Sequence, residues 1–125
     1  MTLGTTRTGE DVLMTRHLHV ADAELGDDPL DPSTIVSGSP ATRWVELWSG
    51  AAGSRGIWEI TPGVVTDVEA DEMFVVISGR ATIEIEGEPA LDVGPGDVVL
   101  LDEGARTTWH VHETLRKVFH TSERA

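Results

Sequence analysis

The sequence predicts an all-β domain, a jelly roll or small closed barrel. From Arg43 onward it is a series of short β-like runs, at residues 43–48, 56–61, 73–78, 81–86, 98–102, 107–112 and 115–120, punctuated by Gly, Pro and Asp. One run, Thr82-Ile83-Glu84-Ile85-Glu86, alternates strictly, which puts its isoleucines on a buried face and its acids toward water. Strands this short expose unpaired edges, and closing or doubling the sheet removes that problem.

Taken in order, residues 1–34 carry neither sustained helical nor strand periodicity. Gly26-Asp27-Asp28-Pro29-Leu30-Asp31-Pro32 reads as loop, because its prolines and acids oppose regular structure. This part is expected to be an arm leading into a barrel over residues 35–122, with 123–125 as a tail. Within the arm, Val12-Leu13-Met14 and His17-Leu18-His19-Val20 are candidates for a short strand. Met73-Phe74-Val75-Val76-Ile77 is apolar throughout, which suits a strand covered on both faces, although periodicity alone leaves a buried helix open. Ser78-Gly79-Arg80 and Glu86-Gly87-Glu88-Pro89 are expected to be tight turns, since glycine reaches positive φ and proline fixes its own. Gly94-Pro95-Gly96-Asp97 looks superficially like a phosphate-cradling loop, but proline removes a backbone donor, and a turn before a strand explains it better.

Composition narrows the function classes. A chain of 125 residues that is 39% hydrophobic and 25% charged fits one globular domain with one core. It contains no cysteine, which removes thiol nucleophiles, thiolate metal sites and disulfides. Lys+Arg total 9 against 22 Asp+Glu, a formal charge of −13, and Lys117 is the only lysine. Such a field repels phosphate backbones and anionic bilayers, so neither nucleic acid nor a membrane is an expected partner. No stretch approaches the roughly 20 apolar residues of a spanning helix, and the first residues lack the apolar core of a signal peptide. The expectation is a soluble cytoplasmic protein.

Several segments carry a resemblance: Gly56-Ile57-Trp58-Glu59-Ile60-Thr61-Pro62-Gly63, Glu72-Met73-Phe74-Val75-Val76-Ile77-Ser78-Gly79, Gly94-Pro95-Gly96-Asp97, Thr108-Trp109 and Arg116-Lys117-Val118-Phe119, with Ser37-Gly38-Ser39-Pro40 and Arg43 upstream. In order and spacing, over about residues 35–120, they resemble the cupins of the ureidoglycine aminohydrolase type, a domain that also occurs in ethanolamine-utilisation proteins. The resemblance implies a cupin jelly-roll β-barrel (double-stranded β-helix), commonly a homodimer. Metal-binding cupins carry two histidines and a glutamate in one motif and a third histidine in a second. Here Glu72 keeps its place, while the paired histidine positions fall on Thr66 and Val68, or on Val65 and Asp67 in the alternative spacing. Thr107 stands at the third histidine and Val111 at the following asparagine. One ligand of four remains, and a lone carboxylate does not assemble a transition-metal site, so no metal or other cofactor is expected.

If the resemblance holds, Glu72 points into the barrel with Phe74 on the same face, and Thr107 shares an inward face with Trp109. Burial would raise the Glu72 pKa and suit it to acid–base chemistry, or the carboxylate would simply be paired and structural. Trp58, Thr66, Val68, Phe74, Thr107 and Trp109 are the candidate ligand-pocket residues, with core packing as the alternative for the tryptophans. For Trp58 the sequence does not say which face is inside. His110 and His112, like His17 and His19, have zinc-chelating spacing, but parity turns the first pair away from the interior and leaves only a surface or inter-subunit role. Lys117 offers a Schiff-base amine or an anion contact, or is a paired structural lysine at the barrel rim.

Three functions follow as expectations. The first is a metal-independent binder of a small polar organic molecule. The second is a metal-free isomerase, lyase or amide-type hydrolase using Glu72 as acid/base. The third is a structural or accessory dimer whose arm adds to a partner's sheet edge.

Overall fold

The computed structural model describes residues 15–122. Among these, β1 (Gly26–Asp27), β2 (Ile35–Gly38), β3 (Thr42–Gly50), β4 (Gly53–Ile60), β5 (Gly63–Val68), β6 (Asp71–Ile85), β7 (Leu91–Val93), β8 (Val98–Leu101) and β9 (Arg106–Ser122) form one continuous, curled antiparallel sheet. Apart from two single 3-10 turns, Val20–Asp22 and Pro32–Thr34, no helix is present in the described residues. The fold is therefore the all-β jelly roll that the alternating runs predict.

Two long strands make the barrel. β6 and β9 pair with each other along nearly their whole length, and each contributes to both halves of the roll. The first half of β9 pairs with β5, Val65 opposite Trp109, and its second half with β4, Trp58 opposite Lys117. The first half of β6 pairs with β8 and the second with β7. Sequence patterning divides each of these strands into two separate runs, and the Ser78-Gly79-Arg80 turn is not formed: the chain passes through bulges between Val76 and Ala81 and stays in the ladder. Gly79 is what permits this. Its φ is +87°, and a Cβ there would lie 2.1 Å from the Thr114 carbonyl oxygen on β9, so both strands bend around a position that only glycine fills. The other two expected turns form, Gly87 taking φ of +82° in one and the Gly94 amide donating to the Asp97 carboxylate at 2.8 Å in the other.

The core lies between the two halves. Ile60, Phe74, Val76, Ala81, Ile83 and Leu115 are its most deeply buried members, with Trp109 close behind, and the inward positions of β6 and β9 alternate as the period-two pattern requires. The arm is more integrated than its composition suggests. β1 pairs with β3, β2 pairs with β5, and Leu30 packs against the core. His17–His19 form no strand. Instead Arg116, buried on the outer face of β9, donates to the carbonyls of Val20 at 2.7 Å and Ala23 at 3.1 Å and fastens the arm there. Glu59 joins Arg116 to Arg43 on the same face, and these two guanidiniums outweigh its desolvation and hold its carboxyl below the usual range. Val12-Leu13-Met14 lies outside the described residues. No described helix is long and apolar enough to cross a membrane.

Candidate functional site

A cavity of about 340 Å³ opens into the barrel between β4, β5, β6 and β9, with the segment from Asp28 to Thr34 at its rim. At its base Lys117 Nζ lies 2.6 Å from Glu72 Oε2, and both side chains are only 7% exposed. The ammonium also faces three rings, with centroids at 4.3 Å for Phe74, 4.5 Å for Trp58 and 4.9 Å for Trp109. Each element supplies its part through register. β4 sets Trp58 beside Lys117 on β9, while β6 sets Val76 on the other side of Lys117 and turns Glu72 and Phe74 toward it. Trp58 meets Trp109 edge-on, with ring centroids 5.7 Å apart. The lysine thus makes one charge-assisted hydrogen bond and three cation–π contacts. Burial pushes the Glu72 carboxyl up, and Lys117 opposes that shift.

A second polar group occupies the β5 wall. Glu69, 6% exposed, accepts from Thr107 Oγ1 at 2.6 Å and from Trp109 Nε1 at 3.2 Å through the same oxygen. Beside it Asp67 reaches the cavity mouth, where desolvation and then the charge of Glu69 push its carboxyl up to about 6. Strand parity explains the pair: Val65, Asp67 and Glu69 point inward, while Thr66 and Val68 point away.

The expected pocket residues therefore divide. Trp58, Thr66 and Trp109 line the cavity with Glu72, Thr66 from its outer rim, where its hydroxyl donates to the Thr34 carbonyl at 3.4 Å. Phe74 is buried behind the cavity wall under Lys117 and Trp109. Thr107 is buried and reaches the site through Glu69. Val68 is a correction: it is 58% exposed and borders a second groove, shared with Glu84, Glu86 and Arg106, because the outward parity of β5 carries it there. Of the two candidate spacings for the histidine positions, the inward one is Val65 and Asp67.

The sequence does not mark Asp67 and Glu69 as functional groups, and it leaves Lys117 between a reactive or anion-binding amine and a paired lysine at the rim; the structure pairs it with Glu72 inside the barrel. The parity of 115, 117, 119 and 121 was the available signal for Lys117, since Phe119 and Thr121 also line the cavity.

The donor set does not suit a cupin metal. The inward ligand positions hold Val65, Asp67, Glu72 and Thr107, and Glu72 is engaged by Lys117. Among the described residues no group of three or more His, Asp or Glu is placed to hold a metal ion. His110 pairs with Glu84, and His112 Nε2 lies 2.9 Å from the Thr82 hydroxyl, both on the outer face of the sheet.

Residues 49–119 match the EutQ-like cupin domain, and the chain belongs to that family. Among solved structures, a Pseudomonas syringae protein of unknown function is 28% identical with a TM-score of 0.70. The match covers 80% of this chain and 45% of the other, so this chain spans less than half of that protein. A Rhizobium leguminosarum protein of unknown function is 23% identical, with a TM-score of 0.65, covering 90% of this chain and 100% of the other. The ethanolamine utilization protein EutQ of Salmonella typhimurium is 17% identical, with a TM-score of 0.59, covering 68% of this chain and 72% of the other. The latter two show the shared fold. No curated protein matches the chain.

Proposed function

We propose that this cupin binds a small polar organic molecule in its barrel and does so without a metal. The observation that carries this reading is the Lys117–Glu72 pair at the base of the cavity: the carboxylate that stands where metal-binding cupins carry a ligand holds an ammonium instead. A fixed cation at that place supplies a hydrogen-bond donor, the carboxyls of Asp67 and Glu69 supply acceptors, and Trp58 supplies a flat apolar wall. Elemental analysis of purified protein, joined to thermal-shift screening of polar metabolites before and after chelator treatment, tests it. Less than stoichiometric metal and ligand stabilisation that survives chelation are expected. A tightly held stoichiometric metal whose removal abolishes binding would overturn the reading.

One observation favours a catalytic version of the same site, with a change of residue. Glu72 has a fixed ionic partner, whereas Asp67 titrates close to neutrality at the cavity mouth, which is the property a general acid or base needs. Turnover by this site would be lost in Asp67→Asn and would show a rate–pH inflection near 6. Equal activity of Asp67→Asn and the parent on an identified substrate would exclude it.

A further inference from the structure

The charge of the cavity wall is not balanced. Among the described residues that line it, Asp28, Asp31, Asp67, Glu69 and Glu72 carry carboxyl groups, and Lys117 is the single cationic side chain. Lys117 is matched one-to-one by Glu72 at 2.6 Å, so the pair adds no net charge. Glu69 is met by two neutral donors, the Thr107 hydroxyl and the Trp109 indole, which bring no positive charge to it. Asp31 is met likewise by the amide and hydroxyl of Ser33, each at 2.9 Å. Asp67 accepts from the Val68 amide at 2.8 Å, and desolvation and then the neighbouring charge of Glu69 hold its carboxyl up, with no cation paired to it among the described residues.

We infer that the cavity selects a compact organic cation with more than one N–H donor, such as an amidinium or a primary ammonium, bound between the β5 carboxyls and the aromatic wall. This rests on the reading of the cavity as a ligand site and adds the class of ligand. The geometry suits the task. Asp67 and Glu69 are successive inward residues of one strand and its continuation, so a forked donor reaches both. Trp58 presents its ring to the same space, and an aromatic face favours a cation. An anion of equal shape would meet the carboxylates of β5 and of the rim with no unmatched cation to receive it. Low dielectric inside the barrel magnifies that difference.

Benzamidinium, benzamide and benzoate differ little in shape and carry charges of +1, 0 and −1. Titrating each into the full chain at pH 7.5, followed by calorimetry and by the tryptophan indole N–H resonances, separates charge from fit. The cation is expected to bind at least about ten-fold more tightly than the amide, and benzoate not at all. In the double variant Asp67→Asn with Glu69→Gln the preference of cation over amide is expected to vanish while the amide still binds. The side-chain carbonyl that Glu69→Gln introduces can keep both hydrogen bonds from Thr107 and Trp109, and Asp67→Asn alone, at the more accessible position, serves if the double variant does not fold. Equal binding of cation and amide, or tighter binding of benzoate, overturns cation selectivity and leaves the ligand cavity standing. If none of the three perturbs the indole resonances of Trp58 or Trp109, the cavity is not a ligand site and both readings fall.

Discussion

At the scale of single residues, Lys117 and Glu72 decide how the site is organised. Either member alone would be a buried, uncompensated charge. Lys117→Met and Glu72→Gln are each expected to cost about 3 kcal/mol in urea unfolding, and the double variant less than their sum by a coupling of the same order. Additive losses would show that the two charges do not stabilise each other. Asp67 makes a separate prediction. Its folded pKa of about 6 lies above the ordinary carboxylate value, so between pH 4 and 6 the folded state holds the proton that the unfolded state has released. Stability from this group therefore falls as pH rises through that window, and the penalty is complete above it. With solvent screening at the mouth the penalty is on the order of 1 kcal/mol. Asp67→Asn is expected to be more stable than the parent at pH 7.5 and no more stable at pH 4, which thermal melts in the two buffers would show. The cupin resemblance, joined to strand parity, made Glu72, Thr107 and Trp109 legible as inward-facing groups. It did not reveal that Lys117 is desolvated, because the rings over its ammonium come from β4, β6 and the distant half of β9, and a cross-strand register is not written in any one segment.

At the scale of elements, β6 and β9 are where local patterning and the folded sheet part company. Gly79 reads as a turn because glycine usually marks one, but its positive φ here serves a bulge, and hydrogen-bonding to β9 continues on both sides. Gly79→Ala is expected to destabilise the fold by about 3 kcal/mol, since a Cβ would press on the backbone at Thr114 as well as strain φ. A change below about 0.5 kcal/mol in chemical denaturation would contradict the role given to this bend. β5 escaped sequence reading for a related reason. Its Gly63-Val64-Val65-Thr66-Asp67-Val68 stretch puts a carboxylate on the inward face, where alternation rules expect an apolar residue, and that exception is the wall proposed to meet the ligand. The arm was legible as irregular chain, but its use was not: the contacts that fix it run through Arg116, whose sequence separation from Val20 is the whole length of the barrel.

For the whole molecule, the formal charge of −13 acts on stability and on binding at once. Self-repulsion among exposed acids weakens the compact state, and salt screens it over roughly 8–10 Å at physiological strength. Raising NaCl from 20 to 300 mM is therefore expected to raise the melting temperature while lowering the affinity for a cationic ligand. A melting temperature that falls over the same range would place the stabilising electrostatics in the ion pairs instead.

The proposed function rests on an ammonium, held by Glu72 and three rings, at the place where the resemblance to metal-binding cupins implies a metal. The ¹⁵Nζ resonance of the single lysine in the chain tests it directly, because no other lysine can contribute to the spectrum. A slowly exchanging ammonium signal is expected, with its protons shifted upfield by Trp58, Phe74 and Trp109, unchanged by chelator and broadened in Glu72→Gln. A fast-exchanging signal at the shift of a solvated lysine would contradict the account.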